Sequence, residues 1–240
     1  LQACMVPAAM SKSPVRLTLR GGTDTKWSPP MDFMRLVHLP LVQRMGVSCE
    51  AEVVRRGFYP EGGGEVTAHI DPCPSLKGVD LLEKGGFSNI VGVAYAQNLP
   101  DHVVSRMRHA AMKGLVGHPG VKVEPDLRSG RSTGAGIVLA ARYGNTVLGQ
   151  SALGERGVRA ETLGEACAAD LAETMRSGAT VDEHMLDQLV PYMALASGGS
   201  AVVAGEMTGH AETNIWVVER FLGDKFRVVK RDGLVEVRTI

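Results

Sequence analysis

A chain of 240 residues with 44% hydrophobic and 22% charged content can bury a sizeable core, as one large domain or two modest ones. Its 26 basic residues balance 26 acidic ones, which excludes a purely electrostatic, histone-like nucleic-acid binder and leaves any nucleic-acid contact to a local cluster. No apolar run approaches the roughly 18 residues of a membrane span, and the opening LQACMVPAAM lacks the pattern of a signal peptide, so no membrane association is expected.

Periodicity predicts a helix over 1–10, a strand over 15–22, a helix over 32–46 and strands over 49–59 and 64–70, the last two joined by a Pro-Glu-Gly-Gly-Gly turn. The chain opens at Leu1 inside its first amphipathic stretch, from which a further upstream segment is expected. After the breaker DPCPS (71–75) come a strand over 89–99, a helix over 101–115, a strand over 121–127, a loop RSGRSTGAG and strands over 136–143 and 146–153. This stretch reads as a small α/β domain inserted at 76–149 into a larger one formed by 1–75 and 150–240. A helix over 160–178 follows. The remainder repeats the opening order: helix 182–196, strand 200–205, helix 211–222, then strands 225–232 and 234–240. Duplication of one α/β unit explains the echo. The fold class is therefore α/β (α+β).

Cys4, Cys49, Cys73 and Cys167 form no CxxC pair and have no histidines at zinc spacing, which predicts reduced thiols in a cytoplasmic setting. His38, His69, His102, His109 and His118 share no metal-binding spacing and read as structural or surface residues.

Four segments carry candidate chemistry. In Arg56-Gly57-Phe58-Tyr59-Pro60-Glu61-Gly62-Gly63-Gly64-Glu65-Val66, successive glycines permit positive φ and close backbone approach, as either a ligand-free hairpin or a phosphate site. No Gly-Lys-Ser/Thr follows, so it is not a Walker loop. In Gly21-Gly22-Thr23-Asp24 with Ser28-Pro29-Pro30-Met31-Asp32-Phe33, the prolines form a rigid wall, Asp32 is placed to cap the next helix, and Phe33 offers a ring for stacking or for the core. In 180–189, Thr180 and Glu183 fit a capping box, and His184, Asp187 and Gln188 share one polar helix face. In 208–215, His210 stands where a strand yields to a helix, beside unpaired N–H groups that suit a phosphate and keep the imidazole neutral; a helix cap is the plainer alternative.

The glycine run resembles the Arg-Gly-x-x-Pro-x-Gly-Gly-Gly-x-aliphatic signature of the RNA 3'-terminal phosphate cyclase family, and the other three blocks match further segments of it. The resemblance covers nearly the whole chain. It implies repeated units of helices on four-stranded sheets, an inserted thioredoxin-like domain, and an N-terminal repeat upstream that carries a glutamate metal ligand and RNA-contacting arginines. It implies ATP and Mg2+ or Mn2+ as cofactors and an RNA 3'-phosphate end as partner. By the same resemblance His210 is the nucleophile that takes AMP, and Gln2, Pro29, Pro30, Phe33, His184, Asp187 and Gln188 hold the nucleotide, with Gln2 also on the metal. His184 replaces a tyrosine that stacks on adenine in a family member. Arg20, Lys26, Arg55 and Arg56 could meet RNA phosphates, but charged strand ends are more often simply solvated, and they are left out of the site. The alternatives are a non-catalytic cyclase-like ribosome-assembly factor, which lacks the histidine, and an inactive cyclase fragment.

Overall fold

The computed structural model describes residues 1–240. The first unit contains α1 (Gln2–Ala9), β1 (Val15–Gly21), α2 (Met31–Phe33), a π-helical turn (Met34–His38), α3 (Leu39–Arg44), β2 (Cys49–Arg55) and β3 (Gly64–Ile70). The helix widens just before Pro40, whose ring has no N–H to donate and would clash with the carbonyl of Leu36 in a regular turn. The last unit contains α6 (Glu183–Leu195), β9 (Ala201–Ala204), α7 (Gly209–Leu222), β10 (Phe226–Arg231) and β11 (Leu234–Thr239). Its antiparallel order β9-β11-β10 reproduces β1-β3-β2, so the duplication expected from the pattern exists in the hydrogen bonding. The two-residue β4 (Asp80–Leu81), too short to show periodicity, pairs parallel with β9. The last unit thus has four strands and the first has three.

Between them lie β5 (Phe87–Gln97), α4 (Asp101–Gly114), β6 (Val121–Arg128), β7 (Gly134–Tyr143), β8 (Val147–Leu153) and α5 (Ala160–Arg176). The sheet order is β6-β5-β7-β8, with β5 and β6 parallel and the other pairs antiparallel. This β-α-β-β-β-α arrangement fits the thioredoxin-like expectation, but it extends past residue 149. β8 runs on to Leu153, and α5 buries Cys167, Ala168 and Leu171 in the same apolar cluster as Val104 and Ile137.

The other face of the small sheet meets the main body. Gly149 leaves no room for a side chain there: a Cβ would lie 2.4 Å from Val37 Cγ2 and 2.7 Å from Phe33 Cε2. One apolar cluster therefore joins Met5, Val37 and Ile70 of the first unit to Val138 of the small sheet and to Leu186, Val202 and Val237 of the last unit. No helix is long and apolar enough to cross a membrane.

Candidate functional site

The glycine-rich turn is pressed onto the end of β1. The backbone N–H groups of Thr23 and Asp24 donate to the carbonyl of Gly57, at 2.9 and 3.2 Å, and the N–H of Gly57 donates back to Thr23 Oγ1 at 2.9 Å. A Cβ at Gly57 would lie 2.4 Å from both Gly21 O and Gly64 N, so only glycine fits this crossing. The loop after β6 closes the arrangement, with Ser132 Oγ accepting the Phe58 N–H at 2.9 Å.

Arg56, expected as a candidate for RNA phosphates, is instead 1% exposed. Its guanidinium donates to Asp24 at 3.3 Å, Asp32 at 2.5 Å and Asp126 at 2.7 Å, and lies 3.7 Å over the Tyr95 ring. Burial works against the guanidinium charge, but Asp32 and Asp24 carry its pKa above the ordinary arginine value. Burial pushes the Asp24 carboxyl up even against Arg56. Burial also raises Asp126, and hydrogen bonds from Arg128 and Arg56 outweigh it to leave that carboxyl low. Asp32 consequently does not cap the following helix. The N-cap position is Pro30, with no side-chain hydrogen bond, and the Asp32 carboxylate turns inward to Arg56 and outward to Arg35 at 3.1 Å. Asp24 and Asp32 bracket the segment that holds Pro29 and Pro30, so Arg56 ties both ends of that segment to the small domain.

A cavity of about 200 Å3 opens beside this knot, lined among others by Gln2, Gly21, Gly22, Thr23, Ser28 and Pro29. The Gln2 Nε2 is buried there without a protein partner. Of the apolar residues expected around a nucleotide, Pro29 reaches the cavity, Pro30 is buried, and the Phe33 ring, 2% exposed, is occupied by the core contact with Gly149.

His184, Asp187, Gln188 and His210 gather where α6 meets α7. The capping box expected from Thr180 and Glu183 does not form. Thr180 exchanges hydrogen bonds with the backbone of Val203 on β9, and Asp182 caps the helix by accepting the N–H groups of His184 and Met185 at 3.1 and 3.0 Å. Asp182 also accepts the Gly149 N–H at 3.2 Å, and burial pushes its carboxyl up to about 6 against those three bonds. The His184 ring is exposed and Asp187 is half-buried. Burial raises the Asp187 carboxyl, opposed by the Gln188 hydrogen bond at 3.1 Å and by nearby His210 and His184. Asn214 of α7 donates to the Asp187 carbonyl at 2.9 Å and fixes the spacing of the two helices.

α7 starts at Gly209, capped by Thr208 Oγ1, which accepts the Ala211 N–H at 3.2 Å. His210 is exposed in the first turn, among N–H groups with no intrahelical acceptor. An imidazole at the N-terminus of a helix and near a carboxylate is placed to attack a phosphorus while the unpaired N–H groups of the helix hold the oxyanions around it.

Two features escaped sequence reasoning. The carboxylate partners of Arg56 lie 24 to 70 positions away, so no spacing rule connects them. Trp27, 99% exposed and with φ of 60°, is a non-glycine residue in the left-handed region, which no composition signal marks.

A family model described as RNA 3'-terminal phosphate cyclase matches residues 1–228. The chain is 42% identical over 240 residues to a protein of Methanosarcina barkeri of that name, covering 99% of this chain and 70% of the relative. A protein of the same name from Methanothermobacter thermautotrophicus is 43% identical over 236 residues, covering 97% and 68%. A third, from Nitrosospira multiformis, is 39% identical over 241 residues, covering 99% and 68%.

Proposed function

The chain belongs to the RNA 3'-terminal phosphate cyclase family, ATP-dependent ligases, and on that premise we propose that it converts an RNA 3'-phosphate to a 2',3'-cyclic phosphate through a covalent adenylate on His210. The observation that carries the reading is the exposed His210 in the first turn of α7, near enough to Asp187 of α6 to act on its carboxyl. An imidazole nitrogen of His210 attacks the α-phosphorus of ATP; the bond to the β-phosphate oxygen breaks and pyrophosphate leaves. The half-buried Asp187 carboxylate balances the positive charge that develops on the ring. An oxygen of the RNA 3'-phosphate then attacks the same phosphorus, the P–N bond breaks, and His210 is regenerated. Finally the neighbouring 2'-hydroxyl attacks the RNA phosphorus and expels AMP, closing the cyclic ester and releasing the hydroxyl proton. Adenylation turns a poor leaving oxygen into a good one.

We assign the nucleotide to Pro29 and the glycine-lined cavity, and by the family resemblance also to His184, Asp187 and Gln188 on α6. Pro30 and Phe33 support this wall from within the core rather than touching the base. No group of three His, Cys, Asp or Glu residues forms a metal cage. Gln2 offers one neutral oxygen at the cavity, which suits Mg2+ or Mn2+ held chiefly by phosphates and water. Such an ion, when bound, neutralises charge on the departing pyrophosphate. The reading also takes the protein to act in the cytoplasm on RNA ends produced by processing.

The test is incubation of the 240-residue chain with ATP, Mg2+ and an oligoribonucleotide bearing a 3'-terminal phosphate. Formation of an end resistant to phosphatase but opened by acid is expected. An end that stays phosphatase-sensitive, with no ATP consumed, contradicts the reading.

A further inference from the structure

Trp27 has no structural duty in this fold. It is 99% exposed, and its φ of 60° is a conformation that a bulky residue adopts only where its surroundings impose it. The surroundings are the segment from Asp24 to Asp32, whose two ends are held by Arg56. Its neighbours Ser28 and Pro29 line the cavity assigned to the nucleotide. A second unpartnered ring stands on the adjacent turn. Asp24 bridges to Phe58, which brings the Trp27 turn alongside the glycine-rich hairpin, where Tyr59 is 85% exposed.

The setting of these rings is cationic and polar. Lys26 precedes Trp27 and is held only by Glu155 at 2.9 Å, with both side chains more than half exposed. Arg20, at the cavity rim, has 74% of its side chain exposed and shares Glu65 with Arg55. Solvated pairs of this kind yield readily to a phosphate. Isolated aromatic rings among cations, without an apolar surround, match the recognition of unstacked RNA bases better than a protein interface, whose centre is depleted of charge.

We propose that Trp27, supported by Tyr59, is a stacking platform for the terminal bases of the RNA substrate, with Lys26 and Arg20 meeting the adjoining phosphates. The inference rests on the cyclase reading and adds to it how the single-stranded end is presented to the activated nucleotide. Stacking on an aromatic ring is tolerant of base identity, so the platform selects an unpaired end rather than a sequence. Trp27 contacts no reacting atom and is a binding residue.

The test uses the whole chain. Trp27→Ala is expected to raise KM for a 3'-phosphorylated single-stranded oligoribonucleotide about 10- to 100-fold, the range of one lost stacking contact, with kcat and the rate of self-adenylation by ATP unchanged. Trp27→Phe should recover most of the loss, and Tyr59→Ala should show a smaller rise of the same kind. A second readout is independent of activity. The chain has two tryptophans, so in Trp216→Phe the emission reports Trp27 alone. That emission should be quenched by the oligoribonucleotide, not by ATP, and less by an oligoribonucleotide whose last nucleotide lacks its base. An unchanged KM with no quenching overturns the proposal. Quenching by ATP together with slowed self-adenylation in Trp27→Ala also overturns it, because the ring then belongs to the adenine pocket. If the unaltered chain neither adenylates nor cyclises, the cyclase reading fails, and the quenching still decides whether Trp27 binds RNA.

Discussion

Replacing Arg56 by methionine keeps much of the volume and removes the only cation that touches Asp24, Asp32 and Asp126 together. Asp24 and Asp32 are 2% and 1% exposed, so neither gains water when the guanidinium goes. Breaking a buried pair by removing one partner costs about 3–5 kcal/mol. In a protein of this size, at about 2–4 °C per kcal/mol, that lowers Tm by roughly 6–20 °C. The deficit also depends on pH. Asp24 already has a folded-state pKa above its unfolded value, so its folded form holds extra protons and its ionisation opposes folding as pH rises. Without Arg56 that pKa moves further up. The variant should therefore lose more stability at pH 8 than at pH 5, read as the difference in Tm from wild type by scanning calorimetry. Arg56→Met with Asp24→Asn should recover part of the loss at pH 8. A Tm within about 2 °C of wild type at both pH values would refute the assignment of Arg56 as the tie between the two domains.

Three smaller tests concern other buried positions. Gly57→Ala should cost about 1–3 kcal/mol, because the new methyl overlaps Gly21 O and Gly64 N; chemical denaturation measures it. His38 is buried against Tyr192 with a pKa lowered to about 4, so it favours folding only while neutral. Its contribution is complete above the ordinary histidine value of about 6.5 and lost as pH falls toward 4, and His38→Phe should flatten that acid limb. Asp182 acts in the opposite sense: with a folded-state pKa of about 6, its contribution is largest at low pH and declines as pH rises from about 4 to 6. Asp182→Ala should thus lose the cap, about 1–2 kcal/mol, more visibly at pH 4 than at pH 8 in thermal melts.

The legible part of this molecule was its local periodicity. Alternation over 15–22 and 64–70 and helical spacing over 211–222 required only neighbouring residues, and each element formed within a few positions of its expected bounds. The duplication was legible for the same reason, as a repeated order of local patterns. β4 was not, since a two-residue strand has no period and exists only because β9 offers an edge. The extent of the small domain was misjudged because an amphipathic helix declares that it has a buried face but not which sheet will bury it; α5 found β7 and β8. The same limit governed the polar residues. Thr180 and Glu183 have capping-box spacing, yet Asp182, held by the Gly149 backbone across the domain boundary, took the N-cap. Arg56 read as a surface cation because its three carboxylate partners come from other parts of the chain. His210 stands out in the sequence only through its place ahead of a helix and the family resemblance of its block, while its nearness to Asp187 depends on the packing of α6 against α7.

The central claim is that His210 carries AMP. The most direct measurement is incubation of the chain with ATP labelled at the α-phosphate and Mg2+, followed by peptide mapping of the acid-labile, base-stable label. The account predicts one labelled peptide containing His210, and no label in His210→Ala that retains its fold by circular dichroism. Label on another residue, or undiminished label in the alanine variant, would contradict it.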